Sequence, residues 1–155
     1  MRRIQIFVFM ACTVLLIQCD KTPDLTFSSI EYLDENGVVR NVEIGGGKKT
    51  VIHFFASWCG DCKREMPDAN KLLSEAPDDV RIYYFTDDTP KRKAKMEKEF
   101  DIPFTTYQLN GSLKDNGVHY IPLNYFIDEN GKQVIAQAEK INWQSAEIKS
   151  FLGYK

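Results

Sequence analysis

The sequence predicts an α/β domain with a central mixed β-sheet flanked by helices and a β-hairpin at its start. Three observations lead there. Thr50–Ala56 (TVIHFFA) is an almost continuous apolar run, as expected of a strand covered on both faces. Strand and helix patterns alternate through the middle of the chain, which implies helices on both faces of the sheet. Two Asn-Gly steps, Asn36-Gly37 and Asn130-Gly131, separate strand-like stretches, where a residue with positive φ closes a hairpin.

Taken in order, Phe27–Leu33 and Val38–Ile44 read as two strands joined through Asp34-Glu35-Asn36-Gly37, and the Gly45-Gly46-Gly47-Lys48-Lys49 segment reads as a loop before the buried strand. A helix starts near Cys59 and runs through Leu73, with Pro67 inside it as a kink, because proline removes a donor and crowds the preceding turn. Val80–Thr86 is a second buried strand. Thr89 caps a helix with Pro90 at its first position that ends near Phe100. Its Lys91-Arg92-Lys93-Ala94-Lys95 run reads as a solvated face. Phe104–Leu109 and Leu123–Ile127 are further strands, and Asp128-Glu129-Asn130-Gly131 turns the chain into Lys132–Ala138. A last helix runs from about Trp143 to Leu152, with Asn142 as its cap.

The chain has 155 residues and a formal net charge of -2, enough for one domain with a real core and nearly neutral. Nothing in that balance points to nucleic acid as a partner. The start is different in kind. Arg2 and Arg3 precede an apolar run from Ile4 to Ile17, which is shorter than the roughly 20 residues of a spanning helix and reads as a signal segment. Leu16-Ile17-Gln18-Cys19 resembles a bacterial lipoprotein signal, with Cys19 as the lipid-bearing first mature residue and Gln18 standing where a smaller residue is usual. The expected organisation is a signal peptide over 1–18, a polar tether over 19–26 and one domain over 27–155. Simple secretion and an uncleaved anchor are the other two readings. All three place the domain outside the cytoplasm.

With Cys12 inside the signal and Cys19 at its end, Cys59 and Cys62 are the two cysteines of the folded part. They sit in Phe54-Phe55-Ala56-Ser57-Trp58-Cys59-Gly60-Asp61-Cys62-Lys63, which follows a buried strand and opens a helix. Free N–H groups and the helix dipole favour a thiolate on the first cysteine, and the thiolate is the attacking species in disulfide exchange. Cys62 lies one turn further on, within reach to resolve a mixed disulfide, so the pair is a complete two-electron couple needing no other cofactor.

This segment, together with Pro67 and the later Tyr120-Ile121-Pro122-Leu123, resembles the thioredoxin superfamily. Glu65-Met66-Pro67 and the N-terminal hairpin resemble its membrane-tethered reductase branch, the TlpA/ResA-like thiol–disulfide oxidoreductases associated with cytochrome c maturation. The resemblance implies a thioredoxin-like fold over residues 27–155. It makes Cys59 the nucleophile and Cys62 the resolving thiol, with Ile121 and a cis-Pro122 as the substrate platform. Trp58, Gly60 and Asp61 complete the substrate-binding set. It further implies disulfide-bearing exported proteins as clients, a membrane thiol protein as electron donor, and membrane attachment through Cys19.

Several residues carry two readings. His53, where many relatives have a buried acid, either moves protons for Cys62 or is a core histidine held by a hydrogen bond. Glu65 either assists proton transfer or is a solvent-facing first-turn glutamate favouring the dipole. Trp58 either shields the thiols and meets the client or simply packs in the core. Asp61 opposes thiolate formation, whereas Lys63 and Arg64 favour it.

An oxidase or isomerase is the runner-up within the same chemistry. A zinc site is disfavoured, since one CxxC supplies half of the usual four ligands and His53 and His119 lie apart; the predicted metal set is none. Copper delivery would lack suitably spaced methionines beyond Met66. A non-catalytic client-binding module would need the Cys59–Cys62 bridge to be structural, yet so short a loop contributes little stabilisation.

Overall fold

The computed structural model of the protein describes residues 25–154. The expected signal over 1–18, Cys19 and most of the tether lie outside the described residues. Among the described residues, no helix is long and apolar enough to cross a membrane.

Among the described residues, seven strands form one sheet: β1 (Glu31–Leu33), β2 (Val39–Asn41), β3 (Lys49–Phe54), β4 (Val80–Thr86), β5 (Thr106–Leu109), β6 (Leu123–Ile127) and β7 (Gln133–Ala138). Their order is β2-β1-β5-β4-β3-β6-β7. The central β5-β4-β3 trio is parallel, and the remaining neighbours are antiparallel. Among the described residues, three helices accompany them: α1 (Gly60–Ser74), α2 (Pro90–Glu99) and α3 (Ala146–Leu152).

The expected helices on both faces are not observed. The buried residues of α1 (including Cys62, Met66, Ala69, Leu72 and Leu73), of α2 (Met96) and of α3 (Ile148, Leu152) all belong to one core, with Val51, Phe55, Tyr84 and Phe126 of the sheet side. The opposite core holds Ile52, Phe54, Tyr83, Phe85 and Tyr125, covered by Phe27, Ile30, Leu113 and Val118 from segments outside the three α-helices. The cause is the strand order. The chain steps from β3 to β4 to β5 in one direction, so right-handed crossovers place α1 and α2 on the same face.

The first strand is shorter than expected, because Phe27–Ser29 forms a 3-10 turn instead. Phe27 and Ile30, three residues apart, are both buried, and a helical turn sends both to the same side where an extended chain would separate them. Both hairpins form as expected and share one device. The Asp34 carboxylate accepts from the Asn36 and Val38 N–H groups, and Asp128 accepts from Asn130 and Lys132. Gly37 and Gly131 supply the positive φ.

Two caps differ from expectation. Thr89 makes no capping side-chain hydrogen bond. The last helix begins at Ala146 with Ser145 as its cap, whose hydroxyl accepts from the Ile148 N–H. Asn142 lies earlier and turns the chain by accepting from the Gln144 N–H at 3.0 Å. A local turn thereby consumes the side chain that would otherwise cap. Pro67 lies on the exposed face within the continuous span of α1.

Candidate active site

β3 ends at Phe54 and the chain reaches α1 through Phe55-Ala56-Ser57-Trp58-Cys59. Asp88, which is buried, accepts from the Ser57 N–H and, at 2.8 Å, from the Ser57 hydroxyl. Thr86 Oγ1 lies 3.2 Å from the same carboxylate and accepts from the Asp88 N–H. This clamp holds the approach to the cysteines from the end of β4. Sequence reasoning missed Asp88, because it and Ser57 are 31 residues apart with no shared motif.

Cys59 is the N-cap of α1, and its Sγ accepts from the Cys62 N–H at 3.1 Å. That is a thiolate-favouring position at a helix start. Cys59 and Cys62 are joined by a disulfide. Cys59 is 5% exposed and Cys62 is 0% exposed, so the outer sulfur is the one within reach of a client. The expected opposition of charges around the pair is answered locally. The Arg64 guanidinium pairs with the Asp61 carboxylate on the exposed side of α1, so the two charges offset each other.

Glu65 is not solvent-facing: it is 1% exposed. It lies three residues after Cys62, on the same buried face of α1. Oε2 accepts from the Ile141 N–H at 3.1 Å, and Oε1 lies 3.4 Å from Asn124 Nδ2 and 3.6 Å from His53 Nδ1. Burial dominates and pushes its pKa up to about 7, against the opposing pull of the Ile141 N–H and the Asn124 amide. The Trp143 indole N–H pulls the same way, although it is too loosely placed to close a hydrogen bond by distance and angle.

His53 is fully buried in β3. Sheet register sets its neighbours: Tyr84 beside it on β4 and Asn124 opposite it on β6. Its Nδ1 lies 2.6 Å from Asn124 Oδ1, and burial lowers its pKa to about 4. The histidine is thus held by a hydrogen bond in the core, and it stands beside Glu65. Asn124 was missed entirely, since a lone asparagine inside an apolar strand carries no motif.

Trp58 does not pack in the core; it is 68% exposed. It lines a groove of about 250 Å³ with Leu113, Val118, Tyr120 and Ile121. Gly60 and Asp61 are exposed at the start of α1. The Ile121–Pro122 bond is cis, with Ile121 half-buried against the core that contains the cysteines and Pro122 buried. Among the described residues, no three His, Cys, Asp or Glu side chains converge as metal ligands. The chemistry open to this arrangement is two-electron exchange between thiols and disulfides.

Comparison with known proteins agrees with that chemistry. The Redoxin family model matches residues 19–151. The thiol-disulfide oxidoreductase ResA of Oceanobacillus iheyensis is 30% identical over 117 residues, 73% of this chain and 60% of that protein. The thioredoxin-like protein YneN of Bacillus subtilis is 26% identical over 116 residues, 72% of this chain and 65% of its own length. The chain thus spans less than two thirds of either relative. Among solved structures, a putative thiol:disulfide interchange protein DsbE from Chlorobium tepidum shares the fold. Its TM-score is 0.67 and its identity 18%, over 85% of this chain and 99% of that one. The chain belongs to the Redoxin family, and it carries the Cys59–Cys62 disulfide on a thioredoxin-like fold.

Proposed function

We propose that this protein is an exported, membrane-tethered reductase that opens disulfides of extracytoplasmic proteins with the Cys59–Cys62 dithiol. The observation that carries the reading is the unequal placement of the two sulfurs. Cys59 caps α1 and keeps a slight exposure, and Cys62 is fully buried one turn before the buried Glu65 carboxyl. In the forward reaction the Cys59 thiolate attacks a client disulfide and one client sulfur leaves as thiolate. Cys62 then gives up its proton and attacks Cys59 Sγ. The Cys59–client bond breaks, the second client sulfur leaves with the electron pair, and the Cys59–Cys62 disulfide forms. Two electrons have passed to the client.

Glu65 is the group positioned to take the Cys62 proton, and a pKa near 7 suits a base working at neutral pH. His53 supports it from behind. Trp58, Gly60, Asp61, Ile121 and Pro122 form the client platform, where an extended segment adds along the backbone before the proline. Electrons return from a membrane thiol protein. The reducing direction rests on the likeness of Glu65-Met66-Pro67 and the N-terminal hairpin to the reductase branch. Tethering rests on Leu16-Ile17-Gln18-Cys19, with lipid on Cys19; mass spectrometry of the cellular protein reads that modification, and Cys19→Ser is expected to release the protein from the membrane fraction.

The deciding measurement is the reduction potential of the Cys59–Cys62 couple, by dithiothreitol or glutathione titration with thiol trapping. A value near or below about -250 mV is expected. A value above about -180 mV would make it an oxidase or isomerase. Absence of a titratable couple would leave only a client-binding module.

A further inference from the structure

Glu65, Asn124 and His53 come from α1, β6 and β3, and all three are buried where they meet in the core. An ionised Glu65 can only accept hydrogen bonds, so the Asn124 amide must turn its Nδ2 toward Oε1, where it lies at 3.4 Å. That orientation leaves Asn124 Oδ1 facing His53 Nδ1 at 2.6 Å, and an oxygen acceptor there requires the imidazole to carry its proton on Nδ1. His53 Nε2 is then a bare acceptor, and it has no hydrogen-bond partner among the described residues.

We propose that Asn124 is the positioning residue of the proton acceptor: its amide holds the Glu65 carboxylate one helical turn from Cys62, and its carbonyl locks His53 as the neutral Nδ1–H tautomer. The proposal rests on the exchange reading above and deepens it by naming what sets the base. In the step concerned, the Cys62 S–H bond breaks, the proton goes to the Glu65 carboxylate, and the sulfur lone pair forms the bond to Cys59 Sγ as the client sulfur departs.

The groups facing Glu65 account for its charge state without a cation. They are Asp61 and Cys62 on its own helix, His53 on β3, Tyr84 on β4, and the Ile141 and Trp143 N–H groups before α3. Burial keeps His53 neutral, and the Arg64 guanidinium on the same helix pairs with Asp61. Donors alone therefore stabilise the carboxylate, and Asn124 is a side-chain donor that can be removed without touching the backbone.

Reduced full-length protein mixed with a chromogenic aryl disulfide releases two aryl thiolates. The first phase is bimolecular attack by Cys59, and the second is concentration-independent resolution by Cys62. The second phase is expected to show an inflection near pH 7 that Glu65→Gln removes. Asn124→Leu is expected to move that inflection upward by about one pH unit, slowing resolution about fivefold at pH 7, with the first phase unchanged. Asn124→Ser, which is too short to reach Oε1, is read the same way and stands in if the leucine variant does not fold. In the unaltered protein at pH 8, nitrogen shifts of His53 should report the Nδ1–H tautomer. An inflection unmoved by both Asn124 variants, or an Nε2–H tautomer, overturns the role of Asn124 while leaving Glu65 as the base. An inflection that survives Glu65→Gln removes Glu65 and Asn124 together, and absence of a second phase removes the exchange reading itself.

Discussion

His53 Nδ1 lies 3.6 Å from Glu65 Oε1, with the two side chains 0% and 1% exposed, and the pair is nevertheless not an ion pair at neutral pH. Burial works on the two groups in the same sense, against charge, and so moves their pKa values in opposite directions: His53 down to about 4 and Glu65 up to about 7. Two neutral or half-neutral groups held by one amide are cheaper to bury than a salt bridge that has lost its water.

That relationship sets the pH dependence of folding. Glu65 has an ordinary pKa of 4.5, so between 4.5 and about 7 the folded protein holds a proton that the unfolded chain has released, and stability falls as pH rises. His53 has an ordinary pKa of 6.5, so between about 4 and 6.5 the unfolded chain holds the extra proton, and stability rises with pH. The two slopes oppose each other over most of the window. Urea titrations between pH 4.5 and 6.5 should find nearly constant stability in the unaltered protein and stability rising with pH in Glu65→Gln. Parallel curves would mean that Glu65 is not raised.

The unequal exposure of the sulfurs predicts unequal variants. Cys62→Ser should accumulate a mixed disulfide with client proteins through Cys59, visible on non-reducing gels, while Cys59→Ser should trap nothing. Each should lose turnover by on the order of a thousandfold or more, as members of one catalytic unit do. Trapping by the Cys59→Ser protein would reverse the assigned roles.

Trp58 exposes an aromatic face beside the cysteines. Trp58→Ala should change folding stability by less than about 0.5 kcal/mol, as at other exposed positions. It should raise KM several-fold for a protein disulfide and leave reduction of a small aryl disulfide nearly unchanged. A large loss of stability would place the indole in the core after all.

Asp88 clamps Ser57. Asp88→Ala strands the donors that it satisfies and should cost about 2 kcal/mol in chemical denaturation. Asp88→Asn keeps one acceptor oxygen and should recover part of that loss. Equal stability in all three proteins would show the clamp to be dispensable.

Much of the site was legible because its signals are local. The position of Cys59 follows from the end of an apolar strand and the start of a helix, and Cys62 follows from helical spacing. The same holds for the twin Asp-Glu-Asn-Gly turns, each closed by hydrogen bonds spanning two and four residues. Glu65 was legible as a candidate but not as a buried one, because its partners Asn124 and Ile141 lie 59 and 76 residues away. Asn142 misled for the opposite reason: capping and turn formation use the same side-chain oxygen, and the tighter local turn took it.

By itself, then, the sequence determined the class of sheet, the two hairpins, the helix that presents the cysteines and the identity of the redox pair, since periodicity, turn chemistry and helix capping act over a few residues. Only the tertiary structure decided that α1, α2 and α3 share one face and that Trp58 stands in solvent. It alone brought Asn124 opposite His53 and within reach of Glu65. Those facts depend on strand order and on the β3–β6 register, which bring distant residues together and set how much water each charge keeps.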